Sequence, residues 1–189
     1  MRLSGYNDFT SEIELVSYDE EMNNQQFKRV YLSWLNNLDV VKSIGSEVLM
    51  NPNKTLDFID ESFKRFTDPN AKGFFIKYLP ADRYVGTVKL DKIDIGNRRA
   101  EVGVMIGEQD FWGKKIAQKS YLILQKYAFE TLGLGSLWGG CLQSNTASLQ
   151  VFKKTGFKCD GIIREYIYIY SVPHNLCMFS ILKREWQND

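Results

Sequence analysis

The segment Phe111-Trp112-Gly113-Lys114-Lys115-Ile116-Ala117 combines the residue types that an anion site needs. A glycine-bearing turn leads into a helix that opens on small and basic residues. The first-turn N–H groups of a helix have no internal partner, and its dipole favours negative charge there. In the preceding segment, 99–106, Val102, Val104 and Ile106 fall on one face and Glu101, Gly103 and Met105 on the other, the period of a strand. After the turn, Ile116, Ser120, Leu124 and Tyr127/Ala128 recur at helical spacing as far as Gly133, where the helix should end. Strand–turn–helix units are common and most bind nothing, so the turn alone is a weak signal. Further along, Asn145 stands where a helix should be capped, and Gly156 where it should end.

Other elements must hold these groups in place. Residues 12–17 alternate Ile13 and Leu15 with polar neighbours and predict a first strand. Residues 26–38 carry Phe27, Val30, Tyr31, Trp34, Leu35 and Leu38 at helical spacing. Asn51-Pro52-Asn53 breaks the chain, and 55–66 predicts a second amphipathic helix with Leu56, Ile59, Phe63 and Phe66 on one side. The aromatic stripe of the first helix is of the type found in cores. Residues 72–79 and 84–90 read as strands joined by the turn 80–83, and Asn97-Arg98 turns the chain into 99–106. Three hairpin-linked strands followed by a crossover helix imply a mixed α/β architecture, antiparallel at first with a parallel pair across the helix. Residues 136–142 suit the buried parallel strand. Residues 161–170 and 175–183 supply a final hairpin in which Tyr166, Tyr168 and Tyr170 share a face, as a sheet surface or a dimer seam.

At 189 residues, 44% hydrophobic and 25% charged, the chain has the length and composition of one globular domain, 1–189, with a real core. A formal net charge of +1 argues against a nucleic-acid surface. No stretch has the apolar length of a signal peptide or a membrane span, so a cytoplasmic protein is expected. Cys141, Cys159 and Cys177 are widely spaced and form no Cys-x-x-Cys pair, which suits a reducing compartment and implies no metal site. Cys141 reads as a small buried hydrophobe, and His174, after Pro173 in the last turn, as solvated.

The chain resembles the GNAT superfamily of acyl-CoA-dependent N-acetyltransferases, in particular the branch of the ribosomal-protein alanine and amino-sugar acetyltransferases. That branch's pyrophosphate loop has the form Trp-Gly-x-Gly-x-Ala. Trp112, Gly113 and Ala117 match it, and Lys115 stands where the family prefers glycine. Asn145-x-x-Ser148 with Lys154-Thr-Gly156-Phe157 is similar to a second family signature in the right order, 31–37 to the branch's Trp-Leu-Asn-Asp element, and 182–186 to its usual ending. The resemblance implies a mostly antiparallel twisted sheet, flanked by helices and splayed between its fourth strand (102–106) and its fifth (137–142). The two early helices would then lie over an acceptor cleft.

It also implies acetyl-CoA as cosubstrate, without a metal. Val104, Ile106, Trp112, Gly113, Lys114, Lys115, Ile116, Ala117, Asn145 and Phe152 become the cofactor-binding set. Acetyl transfer needs a neutral amine and a proton or hydrogen bond for the departing thiolate. Glu101 is the expected base, its alternative being a surface carboxylate paired with Arg98 or Arg99. Family members often place an acid tyrosine where this chain has Phe152, which has no proton to give, so the role of donor to the thiolate passes to Ser148 or to water. The acceptor is expected to be a primary amine, on a small amine, an amino-sugar nucleotide or a protein N-terminus, with a small molecule ranked ahead of a protein, in a monomer or homodimer. A non-catalytic acyl-CoA-binding module with the same fold is the alternative.

Overall fold

Period-two patterning produces eight strands among the residues that the computed structural model describes, 1–21, 23–42, 53–65 and 68–186. They are β1 (Arg2–Ser4), β2 (Ile13–Ser17), β3 (Lys72–Tyr78), β4 (Arg83–Asp94), β5 (Arg99–Ile106), β6 (Ser136–Leu142), β7 (Lys158–Ile169) and β8 (Val172–Leu182). One sheet contains them in the order β1-β2-β3-β4-β5-β6-β8-β7. Neighbours are antiparallel except β5 and β6, which run parallel across the crossover helix, as the connection pattern predicts. β1 carried no signal in the sequence, because three residues are too few to show a period.

Helices cover both faces. On one, the crossover helix α5 (Ile116–Lys126) sets Ile116, Tyr121 and Leu124 against Leu15, Phe74, Ile76, Leu90, Ala100 and Val102. On the other, α2 (Gln25–Leu35) and α4 (Leu56–Arg65) pack Phe27, Leu35, Ile59 and Phe63 around Phe75, with Met105 of β5 at the margin. The Phe27 and Phe75 rings meet edge-on at 3.8 Å, and Tyr18, from the single turn α1 (Tyr18–Glu21), stacks on Phe75 at 4.1 Å. The aromatic stripe of the first helix is therefore core, as its spacing predicts.

Three expectations change. The first helix ends at Leu35, where the Asn36 N–H donates to the Leu32 carbonyl. Asn37 then caps a new turn, α3 (Leu38–Val41), which leaves Leu38 exposed. The strand expected at 84–90 runs on to Asp94 through a bulge at which Lys92 takes φ 49°. The last turn is Tyr170-Ser171, with φ of 48° and 65°, a primed hairpin turn built without glycine. His174 consequently lies within β8 opposite Ile167, not in the turn. A second bulge between Ile163 and Ile167 bends β7, and Ile169 packs against the cluster under α2 and α4. Of the predicted break, Asn51 and Pro52 lie outside the described residues, as does Phe66 of the second helix.

Candidate active site

β5 and β6 are paired only at Arg99–Ser136, Ala100–Leu137 and Glu101–Trp138. Beyond Glu101 the strands part: 102–106 stays bonded to β4, while 139–142 stays bonded to β8. One edge of each backbone therefore faces the gap. Val104 and Ile106 are half-buried beside it, whereas Ala100 and Val102 lie in the core. At the apex the approach is close enough to require glycine: a Cβ on Gly139 would stand 2.9 Å from the Val102 carbonyl oxygen and 3.0 Å from the Phe152 ring.

At the open end of the gap lies the candidate anion loop. The N–H groups of Gly107 and Glu108 both donate to the Val85 carbonyl, which fixes the exit from β5. Gly113 (φ 76°) and Lys115 (φ 62°) then turn left-handed, and Lys115 is the N-cap of α5. The family's preference for glycine at that position follows from this backbone, since a left-handed residue with a Cβ costs about 1 kcal/mol. Lys115 accepts the conformation and extends its chain toward Phe9, its Nζ 6.0 Å from that ring. Lys114 Nζ stands 4.6 Å from the Phe111 ring centre. Neither lysine meets a carboxylate among the described residues, so both cations add to the exposed α5 N-terminus. Ile116 is buried, which leaves its backbone and that of half-buried Ala117 to face a ligand. Glycine φ, free N–H groups and unpaired cations suit a pyrophosphate.

The Trp112 indole closes this loop onto the strand by donating to the Ile106 carbonyl at 2.9 Å. Trp112→Phe keeps the ring and deletes the donor, at a cost of about 1 kcal/mol. A roughly fivefold weaker apparent acetyl-CoA affinity in a melt titration is the expected result.

Glu101 stands at the apex, its side chain 27% exposed, on the face opposite Ala100 and Val102. Its partner is neither Arg98 nor Arg99. Arg98 donates to the Gly133 carbonyl, and Arg99 lies 3.7 Å from Asp94. Glu101 instead pairs with Lys92, Nζ to Oε2 at 2.8 Å, and the hydrogen bond raises the lysine's pKa. The β4 bulge puts the lysine there, and no local pattern marks that bulge. Directly across the ladder lies Asp91, almost fully buried. Burial alone would push its carboxyl up, but Lys89 and Arg65 hold it below the ordinary carboxylate range. The two facing carboxylates are thus held by three cations, Lys92 on Glu101 and Lys89 and Arg65 on Asp91, with Lys92 also drawn toward Asp91.

On the far side of the gap the Asn145 side chain accepts from the Ser148 N–H at 3.0 Å, fulfilling the predicted cap of α6 (Thr146–Lys154). The Ser148 hydroxyl hydrogen-bonds the Cys141 thiol of β6; burial raises that thiol's pKa and the hydroxyl partly offsets it. Cys141 faces Cys177 across the β6–β8 ladder, a proximity that the sequence spacing conceals; all three cysteines are free thiols. Phe152 is 1% exposed, stacked on Phe179 at 4.8 Å and 5.6 Å from the Tyr121 ring. It adjoins the gap through Gly139 and presents no open face.

Tyr121 escaped the sequence reading because its helical position is simply apolar-facing. Burial and the nearby Cys141 and Glu101 raise its pKa, which keeps the phenol neutral and able to donate. Among the described residues no group of three or more His, Cys, Asp or Glu side chains is placed to hold a metal ion. None of their helices is long and apolar enough to cross a membrane.

Also missed was the link between α2 and the loop. The Trp34 indole donates to Glu108 Oε1 at 2.8 Å, and Arg83 reaches Glu108 at 2.5 Å and Asp110 at 3.1 Å.

A splayed parallel pair beneath an anion loop is the architecture of the GNAT acetyltransferases. Residues 20–158 match the family model of the acetyltransferase (GNAT) domain, and the chain belongs to that family. It is 32% identical over 116 residues to the uncharacterised N-acetyltransferase p20 of Bacillus licheniformis, a match covering 61% of this chain and 65% of that one. It is 35% identical over 104 residues to YdaF of Bacillus subtilis, named as a candidate ribosomal N-acetyltransferase, covering 55% and 56% of the two chains. The match thus spans under two thirds of either relative's length. The spermidine N-acetyltransferase of Vibrio cholerae, solved with CoA and spermine, superposes with a TM-score of 0.80 over 93% of this chain and 98% of its own. At 19% identity that likeness is one of fold.

Proposed function

We propose that the chain transfers an acetyl group from acetyl-CoA to a primary amine by direct attack in a ternary complex. The observation that carries this is the position of Glu101: it is the last residue of β5 paired with β6, at the apex of a gap that opens toward the candidate anion loop. Acetyl-CoA supplies the activated acyl thioester. Gly113, Lys114, Lys115 and the N–H groups of 116–117 would hold its pyrophosphate, and the free backbone edge of 102–106 its arm. Glu101 takes the proton of the acceptor ammonium, directly or through water, so that a neutral amine is available at a pH where alkylamines are mostly charged. Ser148 is the hydroxyl able to stabilise the departing thiolate, and the buried Tyr121 phenol lies near Cys141 and Glu101.

The relatives' names point to acceptors as different as a polyamine and a ribosomal protein. The small-amine class is the one we favour, on the resemblance; an open depression of about 580 Å³ bordered by Lys92, Asp94, Arg99 and Trp138 lies beside the apex. The second reading, an acyl-CoA-binding module without turnover, draws support from the missing hydroxyl at Phe152.

A melt titration with acetyl-CoA, CoA and adenosine tests the proposal, because a ligand that binds only the folded state raises the melting temperature with concentration. Shifts with acetyl-CoA and CoA, followed by thiol release with an amine such as spermidine, are expected. Shifts without release from any amine would favour the second reading, and no shift at millimolar ligand would exclude both.

A further inference from the structure

Lys92 lies in the β4 bulge, and its left-handed backbone turns the side chain back over the sheet. Its Nζ is 2.8 Å from Glu101 Oε2 and 5.2 Å from the centre of the Trp138 ring. A carboxylate beside an indole face is a recognition site for an alkylammonium, and here a primary amine of the chain itself fills it. Glu101 and Trp138 are also the last register pair before β5 and β6 separate. From Ile106, at the loop, back to Glu101 the strand descends roughly 16 Å, comparable with the reach of an extended pantetheine arm. The lysine is 62% exposed and ion-paired to Glu101, with Asp91 adding a weaker attraction.

We propose that Lys92 is a self-acetylation site: the chain moves an acetyl group from acetyl-CoA to its own Lys92 Nζ. This rests on the acetyl-CoA reading above. The Nζ–carbon bond forms as the carbon–sulfur bond breaks. Of the protons on the ammonium, one passes to Glu101 and then to solvent, one ends on the thiol of free CoA, and the third remains on the amide nitrogen. No redox partner is needed. The product amide carries no charge, so Glu101 and Trp138 are released from their internal cation and become available to an external amine.

Two other lysines provide matched controls. Lys42 is paired with Asp39 and 65% exposed, and Lys158 is paired with Glu185 and 70% exposed; Glu101 is bonded to neither. The full chain is incubated with acetyl-CoA and each lysine is followed by peptide mass mapping, alongside a melt titration with the same ligand. Lys92 should gain its acetyl group at least about tenfold faster than Lys42 and Lys158, as proximity to a bound donor requires. The rate per chain should not change on dilution of the protein, and the excess should vanish in Glu101→Gln. A melting shift with acetyl-CoA but no excess at Lys92 would overturn this inference alone, and so would an excess that falls on dilution or survives in Glu101→Gln. No melting shift would overturn the acetyl-CoA reading and the inference with it.

Discussion

Glu101→Gln should lower amine acetylation by about 10²- to 10⁴-fold, the range for loss of a general base, while the melting temperature and its shift with acetyl-CoA stay close to those of the parent chain. The side chain is partly exposed and glutamine can still accept the Lys92 hydrogen bond, so the packing at the apex is preserved. What disappears is a proton acceptor where β5 and β6 part. The residual rate should climb with pH toward the alkylamine range near 10, because only free amine already deprotonated by solvent can then attack. The check is thiol release against pH for the parent and the variant with one amine. An unchanged rate would show Glu101 to be only the counter-ion of Lys92.

The second large effect is on folding. Gly107→Ala would place a Cβ 2.1 Å from Trp34 Cδ2 and 2.2 Å from Cγ, with the ring fixed by its bond to Glu108. Gly107 is itself buried and tied to the Val85 carbonyl, so the strand cannot withdraw. Overpacking of this severity costs about 3 kcal/mol, which for a chain of this length is a drop of roughly 6–12 °C in melting temperature. The same methyl should be much better tolerated with Trp34→Ala, and a double-mutant cycle on melting would measure the coupling. Equal penalties in both backgrounds would mean that α2 does not bear on the loop. Because Glu108 also binds Arg83, which holds Asp110 in the loop, the cycle measures how strongly the helix over the second sheet face is fastened to the anion site.

Features dictated by near neighbours in the chain were legible in the sequence. The alternation of 99–106 and the apolar run of 136–142 give β5 and β6 with their bounds unchanged, since a strand's faces follow from residue order alone. Asn145 announces the cap of α6, and its side chain does bond to the Ser148 N–H, because capping is an interaction over three residues. Gly113 announces the turn before α5. The loop's departure at Lys115 was visible as a residue type, but its φ of 62° was not.

Tertiary structure alone decided which groups meet. Bulges at Lys92 and between Ile163 and Ile167 shift the ladder register without a glycine to mark them, and register determines which side chains share a face. For that reason Glu101 could be put on the correct face from sequence, yet its partner proved to be Lys92 rather than either adjacent arginine. The contact of Trp34 with Gly107, the pairing of Cys141 with Cys177 and the approach of Tyr121 to Phe152 join residues from separate elements. The sequence by itself determined the strands, the caps and the glycine turn before α5, because each depends on hydrogen bonds and periodicity within a few residues. The apex, with its carboxylate, indole and internal lysine, was decided by long-range packing and strand register.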